Sequence, residues 1–332
     1  MKRTTWLAAA AVLALSVSAA SAGDFKPAVV FDVGGKFDKS FNQGVYNGVE
    51  KFKKDTGVDY KSFEITNATQ REQAIRKMAK HGNNPVLGIG FAQGPAVDKV
   101  AGEFPKTSFA IIDMVVGKPN VQSIVFKEHE GSFLVGMLAA MASKTHKVGF
   151  IGGMDIPLIR KFECGYEQGV KFADPKAEVV QNMTGNTPGA WNNPSRGGEL
   201  AKSQFDRGAD VIFAAAGGTG IGVYQAAKDA GKYAIGVDSN QNYLQPGTML
   251  TSMVKRVDVA AYNVFKSVKE GTFKPGIQAL GLAEGGVDWA LDEHNEKLIT
   301  PEMKKAVDQA KADIISGKLK VHDYMSDNSC KY

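Results

Sequence analysis

Carboxylates, an amide, aromatic rings and one lysine recur at the ends of apolar runs, next to glycine turns. Asp32 follows the first run in Phe31-Asp32-Val33-Gly34-Gly35, and Asp38-Lys39-Ser40-Phe41-Asn42 comes soon after. Asp113 closes a later run, Phe213 to Gly218 ends in a glycine pair, Asp238 closes another run, and Lys255 lies in Ser252-Met253-Val254-Lys255-Arg256. Trp191 sits in the loop-like Gly189-Ala190-Trp191-Asn192-Asn193-Pro194. An ionised carboxylate accepts hydrogen bonds from paired hydroxyls, an amide reads a base edge with one donor and one acceptor, and an aromatic ring offers a stacking face. Each residue also has an ordinary structural role. Asp32 can brace the glycine turn, Asn42 can cap a helix, Asp113 can close a turn, Phe41 can be core, Trp191 can anchor its loop, Gly217 and Gly218 can only permit a turn, and Asp238 and Lys255 can pair with each other. Their common position beyond strand ends marks them as a site, because ligands of open α/β sheets bind there.

Other chemistries find little support. The sequence has no G-x-S-x-G elbow and no P-loop, and its five histidines (His81, His129, His146, His294, His322) show no H-E-x-x-H spacing. His129, between Glu128 and Glu130, reads as part of a surface charge cluster rather than a catalytic base. Gly217 to Gly222 opens a helix after a strand, and Asp238 lies 20 residues beyond Gly218, as in a dinucleotide site. The spacing from Gly218 is G-x-G-x-G, however, and Val223 stands where the third glycine belongs. No cofactor and no metal is expected.

The elements that position these residues alternate along the chain. Strand-like runs at 28–31, 86–89, 108–112, 147–151, 211–215 and 233–237 are apolar nearly throughout, and amphipathic helical patterns separate them, as at 41–52, 71–80 and 159–172. Such strands belong to parallel sheets covered on both faces, which is a doubly wound α/β architecture. With 332 residues and about 150 per domain, two units are expected. The first spans 23–125 with a return at about 254–290, and the second spans 126–253 with about 291–332.

The N-terminus has the layout of a secretory signal peptide: Lys2 and Arg3, an apolar run from Trp6 to Leu15, and Ala20-Ser21-Ala22 before Gly23. Cleavage after Ala22 predicts an exported chain, and because no cysteine precedes Cys164 it is not lipidated. Forty Lys+Arg oppose 35 Asp+Glu, and loss of the leader removes two more positive charges, so the surplus is too small for nucleic-acid binding. Cys164 and Cys330 are the two thiols. Either they pair and tie the tail to the body, or one is buried free and the other frays.

Asp32-Val-Gly-Gly, Asp38-Lys-Ser-Phe-Asn42, Ala216-Gly-Gly-Thr-Gly220, Gly236-Val-Asp238 and Ser252-Met-Val-Lys-Arg-Val-Asp258, in that order, resemble the basic membrane protein family of ABC-importer substrate-binding proteins, similar to purine nucleoside receptor lipoproteins. The resemblance covers about 26–320. It implies a type I periplasmic-binding-protein fold, two lobes joined by a hinge, acting as a periplasmic monomer. It implies a purine nucleoside of the adenosine, inosine or guanosine type as ligand and an inner-membrane ABC permease as partner. It makes Phe41 the base-stacking ring, Asn42 and Asp113 the base readers, Asp238 and Lys255 the ribose partners, and Asp32 with the Gly217–Gly218 backbone lining groups. Phe213 and Trp191 both qualify as the opposing aromatic. A free purine base such as adenine, or a sugar-like ligand, is the alternative. An exported nucleoside hydrolase is disfavoured because the carboxylates are spread over both lobes, with no Asp-rich cluster near the N-terminus.

Overall fold

Runs of β-branched and apolar residues become strands with no face left for water. In the computed structural model, which describes residues 25–331, β1 (Ala28–Phe31), β3 (Val86–Ile89), β4 (Phe109–Ile112) and β8 (Val211–Ala215) are buried at every position. The signal-peptide reading, residues 1–22, lies outside the described residues. The remaining strands are β2 (Lys61–Glu64), β5 (Val121–Phe126), β6 (Lys147–Met154), β7 (Glu178–Gly185), β9 (Tyr233–Asp238), β10 (Met249–Lys255), β11 (Gly276–Leu280) and β12 (Val287–Trp289). Helices alternate with them: α1 (Phe41–Thr56), α2 (Arg71–Lys80), α3 (Gly94–Glu103), α4 (Glu128–Ala142), α5 (Pro157–Ala173), α6 (Pro194–Asp206), α7 (Gly220–Asp229), α8 (Val257–Lys269) and α9 (Pro301–Ile315).

Two six-stranded sheets result. One has the order β11-β5-β4-β3-β1-β2 and is parallel throughout. The other, β12-β10-β9-β8-β6-β7, is parallel except for β12, which runs antiparallel to β10. Each sheet centres on the 2-1-3-4-5 winding whose switch point binds ligands at the carboxyl ends of the strands. The chain crosses between lobes three times, after Phe126, after Lys255 and between Leu280 and Val287. Both ends of the 254–290 return differ from the sequence expectation. Val254 and Lys255 stay in β10, and Val287–Trp289 form the edge strand beside it, with Lys255 opposite Val287, so these parts of 254–290 belong to the second sheet. An antiparallel edge strand needs no long crossover.

Helices α4 and α5 approach closely because glycines line their contact. A side chain at Gly136 would meet the Tyr166 carbonyl, one at Gly165 the His129 backbone, and one at Gly169 the Phe133 carbonyl. We expect Gly169→Ala to destabilise by about 1–3 kcal/mol, since the neighbour is backbone and cannot step aside. An unchanged urea midpoint would show slack between the helices. Cys164, on α5, forms a disulfide with Cys330 at a Cα separation of 5.3 Å. The tail lies along α5, where Gln168 donates to the His322 carbonyl and accepts from its N–H.

Candidate functional site

The lobe-one wall is built from strand ends and one helix start. Asp32 follows β1 and holds Arg71, whose Nε and Nη2 donate to its Oδ1 at 3.1 and 2.8 Å. Asp38 collects the backbone N–H groups of Ser40, Asn42 and Gln43 at 2.8–3.0 Å, which satisfies the open amides at the start of α1. It also accepts from the Asn42 Nδ2 at 3.1 Å. The Asn42 amide is thereby oriented, and its Oδ1 is left buried without a protein partner. Asp113 follows β4 in the left-handed region (φ 69°). Its Oδ2 accepts from Lys255 at 2.7 Å, and its Oδ1 is also buried and unpartnered.

Lobe two answers with matching positions. Asp238 ends β9 in the same left-handed conformation (φ 64°) as Asp113 after β4. Aspartate tolerates this backbone better than most residues, and such strain collects at functional sites. Trp191 lies on Gly153, where any side chain would run into its ring, and beside Gly217. The lobes touch where Ser40 Oγ donates to Asp238 Oδ2 at 2.6 Å, Ser239 Oγ donates to the Ser40 carbonyl at 2.9 Å, and Gln241 Nε2 donates to the Lys39 carbonyl at 2.9 Å.

Between these walls lies a cavity enclosing about 700 Å³, part of it open to solvent. Of the ten ligand-binding positions read from the sequence, Asp32, Phe41, Asn42, Asp113, Trp191, Gly217, Asp238 and Lys255 line it. Phe213 does not. It is fully buried in the lobe-two core, packed on Phe150 and Tyr166 with centroids at 5.6 and 5.4 Å. Gly218 lies behind Gly217 and is buried. The sequence reading missed Phe91, which follows β3, and the apolar wall of α5, made by Leu158, Ile159 and Phe162. The Gly90 turn after β3 was a strand-end signal for Phe91; the α5 wall carried none.

The charges do not form the Asp238–Lys255 pair that an ordinary structural role would give them. Lys255 Nζ sits 2.7 Å from Asp113 Oδ2 and 2.9 Å from Glu128 Oε1, with the rings of Phe126, Phe41 and Phe162 5.0–5.6 Å away. Glu128 in turn meets Lys161 at 3.0 Å. The cluster expected at the surface is thus largely interior: Glu128 is 0% exposed and His129 7%. Burial pushes the Glu128 carboxyl up, but the ammonium groups of Lys161 and Lys255 outweigh it and leave it low. Burial opposes the charge on Lys255, and Asp113, Glu128 and Asp238 together hold it well above the ordinary lysine value. Burial drives Asp238 up to about 7, only partly offset by Lys255 and the Ser40 hydroxyl. The site is therefore a mostly apolar cavity carrying hydrogen-bond acceptors from both lobes.

Two doubly wound lobes, three crossings and a cavity between strand ends define a two-lobed solute-binding protein. Comparison places the chain more narrowly. Residues 25–324 match the family described as ABC transporter substrate-binding protein PnrA-like, and the chain belongs to it. It is 34% identical over 321 residues to the ABC transporter nucleoside-binding protein BmpA of Lactococcus lactis, covering 90% of this chain and 89% of that one. It is 32% identical over 303 residues to basic membrane protein A2 of Borrelia garinii, covering 88% and 87%. The crystal structure of an ABC transporter solute-binding protein from Aeropyrum pernix superposes with a TM-score of 0.83 at 29% identity, covering 89% of this chain and 92% of that one. The protein is an ABC transporter substrate-binding protein. Among the described residues no helix is long and apolar enough to cross a membrane.

Proposed function

We propose that this protein captures a purine nucleoside between its lobes outside the cytoplasm, as a monomer, and delivers it to a membrane permease. The observation that carries the reading is the pair of buried acceptors, Asn42 Oδ1 and Asp113 Oδ1, on side chains lining a slot bounded by Phe41 and Trp191. A buried acceptor without a partner costs about 1–3 kcal/mol, so the slot favours a ligand that brings donors. A flat ring with amino or imino donors at its edge matches both the acceptors and the aromatic walls. Asp238, on the other lobe, suits the paired hydroxyls of a ribose. The name of the Lactococcus relative, a nucleoside-binding protein, supports the same class.

Mass spectrometry of ligand released from the purified protein, followed by calorimetric titration with inosine, adenosine and guanosine, tests the proposal. Absence of saturable binding to all three would sink it. Stacking on an aromatic contributes about 1–3 kcal/mol per base, so Phe41→Ala should weaken binding roughly 5- to 150-fold. Its ligand-free stability should change much less. A variant that unfolds, with its folded fraction binding normally, would return Phe41 to the core.

A further inference from the structure

Two buried charges behind the cavity wall, Glu128 and Lys161, have no part in the binding reading. Lys255 Nζ lies between Asp113 and Glu128, and Glu128 Oε2 lies 3.0 Å from Lys161 Nζ. Lys161 also donates to the Phe126 carbonyl at 2.6 Å, gripping the first crossing between lobes. Glu128 is the first residue of α4 and Lys161 belongs to α5, whose glycine-lined contact lets the two meet. Neither residue lines the cavity. We propose that Glu128 and Lys161 are positioning residues, which hold the Lys255 ammonium at the junction of the lobes and thereby set the pH range over which the site takes up its ligand.

The charge balance is the reason. Two ammoniums, Lys255 and Lys161, face two carboxylates, Asp113 and Glu128, and this set is neutral by itself. Asp238 is the surplus carboxylate. The groups around it are Lys255 from β10, Asp113 after β4, Asp38 and the Ser40 hydroxyl before α1, and the neutral Tyr224 phenol from α7. Lys161 is faced in addition by Asp323 of the tail at 3.9 Å, which also lies 3.9 Å from His129 Nδ1. Burial lowers His129 to about 4, so it adds no positive charge near neutral pH. Among the described residues, Lys255 is the ammonium that offsets Asp238, and Glu128 competes for it. Removing the Glu128 charge turns Lys255 toward Asp238 and favours its ionised form. Removing the Lys161 charge gives Glu128 a freer hold on Lys255 and disfavours it. The two changes therefore act in opposite directions on a group neither residue touches.

The effect on uptake rests on the nucleoside reading, so the decisive measurement is made without ligand. The Asp238 carboxyl carbon, assigned by its loss in Asp238→Asn, is followed by carbon NMR from pH 5 to 9. Glu128→Gln should move its midpoint down by about one pH unit, and Glu128→Asp should move it down by less. Lys161→Met should move it up by about one unit, while Lys161→Arg leaves it in place. The double variant Glu128→Gln/Lys161→Met should return near the wild-type midpoint. Either single variant is decisive by its sign if the other does not fold. Midpoints that stay put, or that move the same way in Glu128→Gln and Lys161→Met, overturn the proposal. Repeating the series as the pH dependence of inosine affinity should reproduce the same shifts. NMR shifts without matching affinity shifts would retain the charge coupling and reject the nucleoside reading.

Discussion

Lys255→Met lowers the stability of the ligand-free protein by about 3–5 kcal/mol in urea unfolding, the range expected when one partner of a buried ion pair is removed. Methionine nearly matches the length of lysine, so the change removes charge more than volume. The lysine side chain is 1% exposed and its ammonium lies within 3 Å of two carboxylates. Without it, Asp113 loses its cation and Glu128 keeps only Lys161. The pH dependence gives the prediction its sign. In the wild type, Glu128 is held below its ordinary value of 4.5, so its contribution is present above that pH and fades as the pH falls through the lowered folded value. In the variant, Asp113 keeps only the weaker pull of Lys161 against the burial that raises it, so the deficit is largest at neutral pH and shrinks toward pH 4. A loss below about 1 kcal/mol at pH 7 would mean that water enters and solvates the two carboxylates.

The fold was legible where burial is two-sided. Strands β1, β3, β4 and β8 are apolar at nearly every position because helices cover both faces of each sheet, and no alternation is needed to recognise them. The edge strands carried no such signal. All but the last residue of β11 are exposed, including Ile277 at 65%, and its strand character comes from pairing with β5, some 150 positions earlier. β12 is three residues long and contains Asp288. Helix ends were blurred for a related reason. α1 runs on past its last apolar contact at Phe52 through solvated residues to Thr56, where Gly57 closes it with a left-handed turn.

The site was legible in the same partial way. A rule about strand ends finds Asp32, Asp113 and Asp238, because topology alone places them at one edge of each sheet. It does not say how far back along a strand the cleft reaches. Phe213 shares its face of β8 with the cavity-lining Ala215 but lies two residues earlier, in the large core with Phe150. The α5 wall was hidden because Leu158, Ile159 and Phe162 obey the same periodicity whether they face a core or a cavity. Glu128 and Lys161 were hidden most deeply. A charged pair at helical positions normally reads as solvated, and only the glycines at 136, 165 and 169, on two different helices, let these meet in the interior.

If the proposed ligand is correct, the wild-type protein should bind inosine or adenosine at least about tenfold more tightly than the matching free base, and Asp238→Ala should remove that preference while leaving base affinity nearly intact. The carboxylate can accept from both ribose hydroxyls, and charge-assisted hydrogen bonds contribute about 1.5–3 kcal/mol each. Among the described residues, Asp238 accepts the Ser40 hydroxyl alone, at Oδ2, which leaves acceptor capacity for the ligand. Its titration then enters the binding. Burial raises Asp238 from an ordinary 3.8 to about 7, with Asp113 and Asp38 adding to it, so below neutrality the free site is largely protonated. Hydroxyl donors favour the ionised form. Affinity for the nucleoside should therefore rise by up to about tenfold per pH unit from pH 5 to near 7 and level off above, with a proton released on binding below neutrality. The stability of the ligand-free protein has the opposite slope from this group. The native state keeps a proton that the unfolded chain has already lost between 3.8 and about 7, so the Asp238 contribution falls as pH rises through that window. Asp238→Asn should flatten both profiles. Calorimetry with adenosine, adenine and 2′-deoxyadenosine, run at pH 5.5, 6.5 and 7.5 on wild type and variant, decides the matter. Equal wild-type affinity for adenosine and adenine would reject the ribose contact and make a free purine base the ligand. A sloping profile that survives in Asp238→Asn would assign the titration to Asp113 instead.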